Sequence, residues 1–170
     1  MKTTLSIVAL VMATSCSTGG TSRQHVQVAH LGFDVPGDWS SAETKERGLV
    51  TSVWTPDENL RKESVTVARS ERSATVANAG SQVVEQLLAS AQPPGARVSP
   101  TMFFTTAKGL SGVRVDASFV PPGLKATYRR VHAVLVINHS SLVHVFYTSP
   151  SAEPSLDTFN MVLDSIHEES

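Results

Sequence analysis

Thr127-Tyr-Arg-Arg-Val-His-Ala-Val-Leu-Val-Ile-Asn138 and Leu142-Val-His-Val-Phe-Tyr-Thr148 flank a short polar segment, Asn138-His-Ser-Ser141. Two runs of β-branched and aromatic residues around a polar turn read as a β-hairpin. The first run is apolar at both parities. Val131, Ala133, Leu135 and Ile137 project to one side, and Val134 and Val136 to the other. Successive side chains of a strand alternate between faces, so an unbroken apolar run needs cover on both. The hairpin therefore belongs at the centre of a sheet, with helices or loops on each side. A two-residue turn at His139-Ser140 predicts that His144 opposes Leu135 and His132 opposes Tyr147.

Working outward, Ser149-Pro150 ends the hairpin and Ser151 offers a helix cap, with Pro154 in the first turn. Leu156, Phe159, Val162, Leu163 and Ile166 then form one apolar stripe. Upstream, Pro121-Pro122-Gly123 is a turn, and the strands Arg97 to Thr106 and Gly112 to Val120 are joined at Lys108-Gly109. Before them the period changes: Val76, Ala79, Val83, Leu87 and Leu88 recur at helical spacing, with Ser73 or Thr75 as cap and Pro93-Pro94-Gly95 as the stop. Gly80 costs that helix about 1 kcal/mol relative to alanine, so it leans on packing. Ser64 to Arg69 and Leu49 to Trp54 read as strands, with Asn59 to Glu63 as the loop between them. His25 to Val35 reads as one or two strands broken near Gly32, followed by a Pro36-Gly37 turn and Trp39. The expected fold is α+β: an antiparallel-rich sheet of about six or seven strands flanked by two helices, in one domain over residues 26–170.

The first residues carry a different signal. Lys2, the apolar run Leu5 to Ala13, and Ala13-Thr-Ser15 supply the three regions of an export signal in order. The run is shorter than the roughly 20 residues that a membrane span needs. Ala13-Thr-Ser-Cys16 resembles a bacterial lipobox, in which the cysteine sulfur is alkylated with diacylglycerol and the chain is cut just before it, here between Ser15 and Cys16. Ala13 departs from the leucine usual in that position, and ordinary signal peptidase would cut the same bond. Cys16 is the single cysteine, so an exported chain has no internal disulfide to form, and acylation gives the thiol a role. Residues 1–15 are expected to be a signal peptide, and residues 16–25 a lipidated N-terminus and flexible tether. Ser17 after the cysteine is compatible with an outer-membrane anchor facing the periplasm in a Gram-negative host. In a host with one membrane that sorting rule fails.

Composition narrows the function further. Removing Lys2 with the signal leaves 13 of the 14 basic residues against 15 acidic ones, a balance that offers no electrostatic case for nucleic acid. His25 and His30 lie five apart, a poor metal spacing, and His132 and His144 read as neutral, half-buried hairpin histidines. The chain has no His-Glu-x-x-His, no Cys-x-x-Cys, no acidic calcium loop and no phosphate-binding glycine loop. Gly109-Leu-Ser-Gly-Val113 falls short of a nucleophile elbow because Val113 stands where the last glycine belongs. No cofactor, metal ligand or catalytic residue is expected. The candidate surface contacts are Arg129 and Arg130, one on each sheet face, and the loop residues Arg61 and Lys62. Trp39 and Trp54 sit near turns.

The opening Phe33-Asp-Val-Pro-Gly-Asp-Trp39, the order of elements after it, and the ending Phe159-x-x-Val-Leu-Asp-Ser-Ile166 resemble the Mog1/PsbP-like fold, over roughly residues 26–167. That resemblance implies an α/β/α sandwich. It also implies a protein-binding or accessory role, because members of the fold mostly bind proteins. The matched residues are core and turn positions, so it carries over no partner. The expected function is a non-catalytic, lipid-anchored cell-envelope protein, held to the bilayer through acylated Cys16 and binding an unidentified envelope protein. An envelope chaperone or immunity-type factor, and an envelope hydrolase, are the alternatives.

Overall fold

The computed structural model describes residues 22–28, 30–46, 49–55, 63–71, 92–137, 141–151 and 153–169. Five strands come first: β1 (Arg23–Val28), β2 (Leu31–Pro36), β3 (Ser40–Glu46), β4 (Leu49–Thr55) and β5 (Ser64–Glu71). They are followed by β6 (Arg97–Val98), β7 (Met102–Thr105), β8 (Ser111–Phe119), β9 (Tyr128–Ile137) and β10 (Ser141–Ser149). Helix α1 (Asp157–Ser165) and a final short strand, β11 (His167–Glu168), complete the order. Eight strands form one sheet, in which β7 pairs β8 beside the path β3-β4-β5-β10-β9-β8-β6, and β1-β2-β11 form a second. Every pairing is antiparallel.

The fold among the described residues is thus α+β, an antiparallel sheet structure with one helix. The helix expected over Val76 to Ala91 lies outside the described residues, as do Cys16, Arg61 and Lys62. The expected six or seven strands become eleven in two sheets. Among the described residues the additions to seven are the division of His25 to Val35 into β1 and β2, β3, whose Ser-Ser-Ala-Glu-Thr-Lys-Glu has no apolar alternation, and the two-residue strands β6 and β11, which are too short to show a period.

The hairpin is central, as its composition requires. Strand β9 lies between β10 and β8, and β10 between β9 and β5. Its register differs from the expected one by one residue. Ile137 pairs with Ser141, so His132 opposes Phe146 and His144 opposes Val134. Because side chains alternate, this shift puts His132 and His144 on the same face.

Val131, Ala133, Leu135 and Ile137 point into the main core, where they meet Val143, Val145, Tyr147, Val65 and Val67 of the large sheet. The small sheet contributes Val26, Val28, Leu31, Phe33 and Val35, and α1 contributes Phe159, Val162 and Leu163. Ile166, just past the helix, and Trp39 are also buried there. The expected stripe is therefore the buried face of α1, and the Phe159 ring lies 6.2 Å from that of Tyr147. On the opposite face Val113, Val115, Val134 and Leu142 form a second buried cluster.

Two local expectations are corrected. Ser151 does not cap α1. The helix starts after Leu156 without a side-chain cap, and Asp157 N–H donates to Ser155 Oγ instead. The break between β1 and β2 does fall near Gly32, but Gly32 itself is paired inside β2 and the turn is made two residues earlier at His30, a non-glycine residue with φ of 63°.

Candidate functional site

Alternation along the three short strands of the small sheet builds a cluster on its outward face. His25 is directly opposite Asp34, and Gly32, two residues before Asp34, is directly opposite His167. Glu169 follows two residues after His167, and its backbone N–H donates to the His30 carbonyl at 2.9 Å. Period-2 geometry therefore places His25, Asp34, His167 and Glu169 on one side. Gly32 leaves the room they need: a Cβ there would collide with Glu169 Oε1 and lie 2.8 Å from His167 Cε1.

The contacts within the cluster are close. His25 Nδ1 is 2.8 Å from Asp34 Oδ1, and His25 Nε2 is 3.0 Å from Glu169 Oε1. His167 Nε2 is 3.1 Å from the same Glu169 oxygen, and its Nδ1 is 2.8 Å from the Ser165 carbonyl. The two imidazoles stack with centroids 5.6 Å apart. The hydrogen bond to Asp34, followed by that to Glu169, raises the His25 pKa above its usual 6.5 and outweighs the opposing desolvation. Glu169 is held below the usual carboxylate range, first by its hydrogen bond with His25. Ser165 ties the helix to the strand, because its Oγ accepts the Asp34 N–H at 2.8 Å and donates to the Met161 carbonyl at 2.7 Å.

Beside this cluster runs an open cleft of about 770 Å³ between β1, one side of α1 from Asp157 to Ser165, and the β7–β8 turn. Arg23, Lys108, Asp157, Asn160 and Asp164 give it a mixed-charge lining, and His25, Asp34 and His167 form one wall. Ala107 N–H donates to Asp164 Oδ1 at 3.1 Å, which fixes the Lys108 turn to the helix.

A second histidine group is buried on the far face of the large sheet. His132 is 0% exposed, and its Nε2 is 3.1 Å from His144 Nδ1. Its Nδ1 faces Gln92 Nε2 at 3.4 Å, and its ring stacks on Phe146 at 4.0 Å. With Gln92 donating to Nδ1, the ring proton sits on Nε2 and is donated to His144. Burial, then the charges of His144 and Arg130, lower the His132 pKa to about 3, so the ring is neutral. This pair is packing with satisfied polarity, and it has no opening to the cleft described above.

The candidate surface arginines are both engaged. Arg129 is ion-paired with Asp116. The Arg130 guanidinium lies 5.4 Å from the Phe119 ring centroid and 5.9 Å from that of Phe146. Ser15 and Cys16, like Arg61 and Lys62, lie outside the described residues. Motif spacing in the sequence points away from His25, and it assigns nothing to His167 or Glu169. The set joins segments far apart in the chain, and β11, which carries His167 and leads directly into Glu169, is two residues long. The available signal is His167-x-Glu169 directly after the helix stripe, an alternation too short to stand out.

The sequence matches no family profile and no curated protein. A crystal structure from Bacteroides thetaiotaomicron VPI-5482 is similar in fold, with a TM-score of 0.57 at 13% identity, over 84% of this chain and 46% of that one. The chain thus spans less than half the length of that structure. A protein of unknown function from Pseudomonas aeruginosa gives a TM-score of 0.38 at 14% identity, over 75% of this chain and 83% of that one. The first similarity speaks to fold alone. Among the described residues no helix is long and apolar enough to cross a membrane.

Proposed function

We propose that this chain is a lipid-anchored protein of the cell envelope, held by acylated Cys16, whose domain binds another envelope component without transforming it. The observation that carries this reading is the position of the cleft relative to the tether. Arg23 opens β1 and borders the cleft, seven residues after Cys16. The expected tether of residues 16–25 ends earlier, because β1 already begins at Arg23, and a polar, glycine-containing segment of that shorter length reaches about 15 Å, so the cleft stays near the bilayer surface. Anchoring raises the domain's effective concentration towards partners in the same membrane. The cleft's mixed-charge rim suits a polar, charged protein segment more than an apolar one.

The finer fold assignment belongs to the same proposal. A Mog1/PsbP-like α/β/α sandwich needs a second helical layer opposite α1. Burial of Val113, Val115, Val134 and Leu142 on that face supports one, and the amphipathic segment 76–91 is its natural source.

A photo-crosslinking residue replacing Asn160 in the full acylated chain, activated in native envelopes, tests the reading. Capture of one discrete protein from position 160, and none from position 125, is expected. Capture from position 125 alone, or recovery of the chain without an acyl group, would overturn it. One observation favours a chaperone-type alternative: Phe103 on β7 is 69% exposed, with Val98 of β6 at 46%. A crosslinker at Phe103 that captures unfolded envelope clients would support that alternative.

A further inference from the structure

We propose that His25, His167 and Glu169 form a binding site for one divalent transition-metal ion of the zinc class. The three ligand atoms, two imidazole nitrogens and one carboxylate oxygen, lie within 4.8 Å of one another. Both histidines turn the same nitrogen, Nε2, to the same oxygen, Glu169 Oε1, at 3.0 and 3.1 Å. Ligands bound to zinc at about 2.0–2.2 Å in a tetrahedron are separated by about 3.3 Å, so a small outward movement of these groups admits the ion.

The outer contacts support the assignment independently. A metal-binding histidine commonly donates its other ring N–H to a carboxylate or a backbone carbonyl, which fixes its tautomer and aims the lone pair. Both arrangements occur here: His25 Nδ1 on Asp34 Oδ1 at 2.8 Å, and His167 Nδ1 on the Ser165 carbonyl at 2.8 Å. The Ser165 carbonyl can only accept, so His167 Nδ1 carries a proton and Nε2 is the nitrogen turned to the Glu169 carboxylate. A ring nitrogen and a carboxylate oxygen about 3 Å apart are joined either by a proton or by a metal ion that displaces it. One divalent ion satisfies both histidines and Glu169 at once. Gly32 keeps the space beneath the cluster clear, because any side chain there would run into Glu169 and His167.

Imidazole with a carboxylate suits zinc, nickel or copper better than calcium or magnesium, which favour all-oxygen sites. Three protein ligands leave a fourth position open. With 47% of the His25 side chain exposed and the cleft alongside, that position is accessible to water or to a donor group of a bound partner. The site does not depend on acylation of Cys16.

The test uses the full chain in detergent carrying Cys16→Ser, so that no thiol competes for metal. Calorimetric titration with zinc chloride should give one ion per chain with a Kd at or below about micromolar, and cobalt(II) should give a visible d–d spectrum that zinc bleaches. His25→Ala and His167→Ala should each weaken binding at least about tenfold, and Asp34→Asn about 10–100-fold through the lost outer contact. His30→Asn, which removes the imidazole but tolerates the left-handed backbone of that turn, should leave it unchanged. Circular dichroism of each metal-free variant separates lost ligation from lost folding. A measurement on the unsubstituted histidines avoids the question altogether: zinc should shift the NMR ring signals of His25 and His167 and leave those of His132 and His144 in place. Absence of saturable one-to-one binding, wild-type affinity in both histidine variants, or zinc shifts confined to other histidines would overturn the proposal.

Discussion

Acid should loosen this protein through His132, the buried histidine of the central hairpin. The ring is 0% exposed and stacked on Phe146, and it faces His144 and Arg130. Desolvation, then the two neighbouring charges, takes its pKa from 6.5 to about 3. Unfolded, the same ring titrates near ~6.5. Between these values the unfolded chain binds a proton that the folded chain refuses, so stability falls as the pH is lowered. The contribution is complete above about 6.5 and fully lost below about 3. At about 1.4 kcal/mol per pKa unit, moving from pH 8 to pH 5 costs about 2 kcal/mol from this residue alone. Urea unfolding followed by circular dichroism across that pH range measures the loss. His132→Gln removes the titrating ring. The variant should be less stable at pH 8, but its stability should fall less steeply below pH 6, by about one proton's worth of slope, or ~1.4 kcal/mol per pH unit. Carboxylates and His25 titrate in both proteins and cancel in the comparison. Parallel curves for wild type and variant would show that His132 is not held neutral by the fold, and would refute the reasoning.

Other predictions concern the core, the cluster and the anchor. Phe159 is fully buried between α1 and the large sheet, so Phe159→Ala should destabilise the protein by about 3–5 kcal/mol in the same urea assay. His25 has the opposite sign to His132. Its folded pKa is raised, so its pairing with Asp34 and Glu169 stabilises fully below about 6.5 and fades as the pH rises through the folded value. An NMR titration should give His25 a midpoint above 6.5, which Asp34→Asn lowers. Gly32→Val should displace Glu169 and His167 and weaken zinc binding about tenfold or more while the sheet spectrum is retained, as calorimetry and circular dichroism would show. Cys16→Ala should abolish acylation and release the mature domain from membranes, as labelled-lipid incorporation and fractionation would show.

What the sequence made legible was whatever rests on long, regular apolar patterns. Within β9 the run Val131 to Ile137 is apolar at both parities apart from His132, and it lies between β8 and β10 with both faces buried from Val131 to Leu135. The stripe of Phe159, Val162 and Leu163 is the buried side of α1. Hairpin register was not legible, because a one-residue change at residues 138–140 leaves the apolar pattern of either strand intact. Yet that residue decides whether His132 meets Tyr147 or Phe146, and so whether it can reach His144. The small sheet was only partly legible. His30 adopts a left-handed conformation usually given to glycine, and this drew the expected break towards Gly32. The histidine–carboxylate cluster was not legible at all, since it exists only once β11 pairs back onto β2.

The proposed anchor at Cys16 would hold the cleft towards the membrane. Lys108 borders the cleft, while Lys125 lies beyond the far end of the nine-residue strand β8, about 30 Å away. Once Cys16 is acylated, the chain has no free thiol to compete, so Lys108→Cys and Lys125→Cys each take a single fluorescent label. With the acylated protein reconstituted in vesicles, quenchers on the lipid headgroups should dim the label at position 108 strongly and the label at position 125 weakly. Equal quenching at the two positions, or stronger quenching at 125, would contradict the claim.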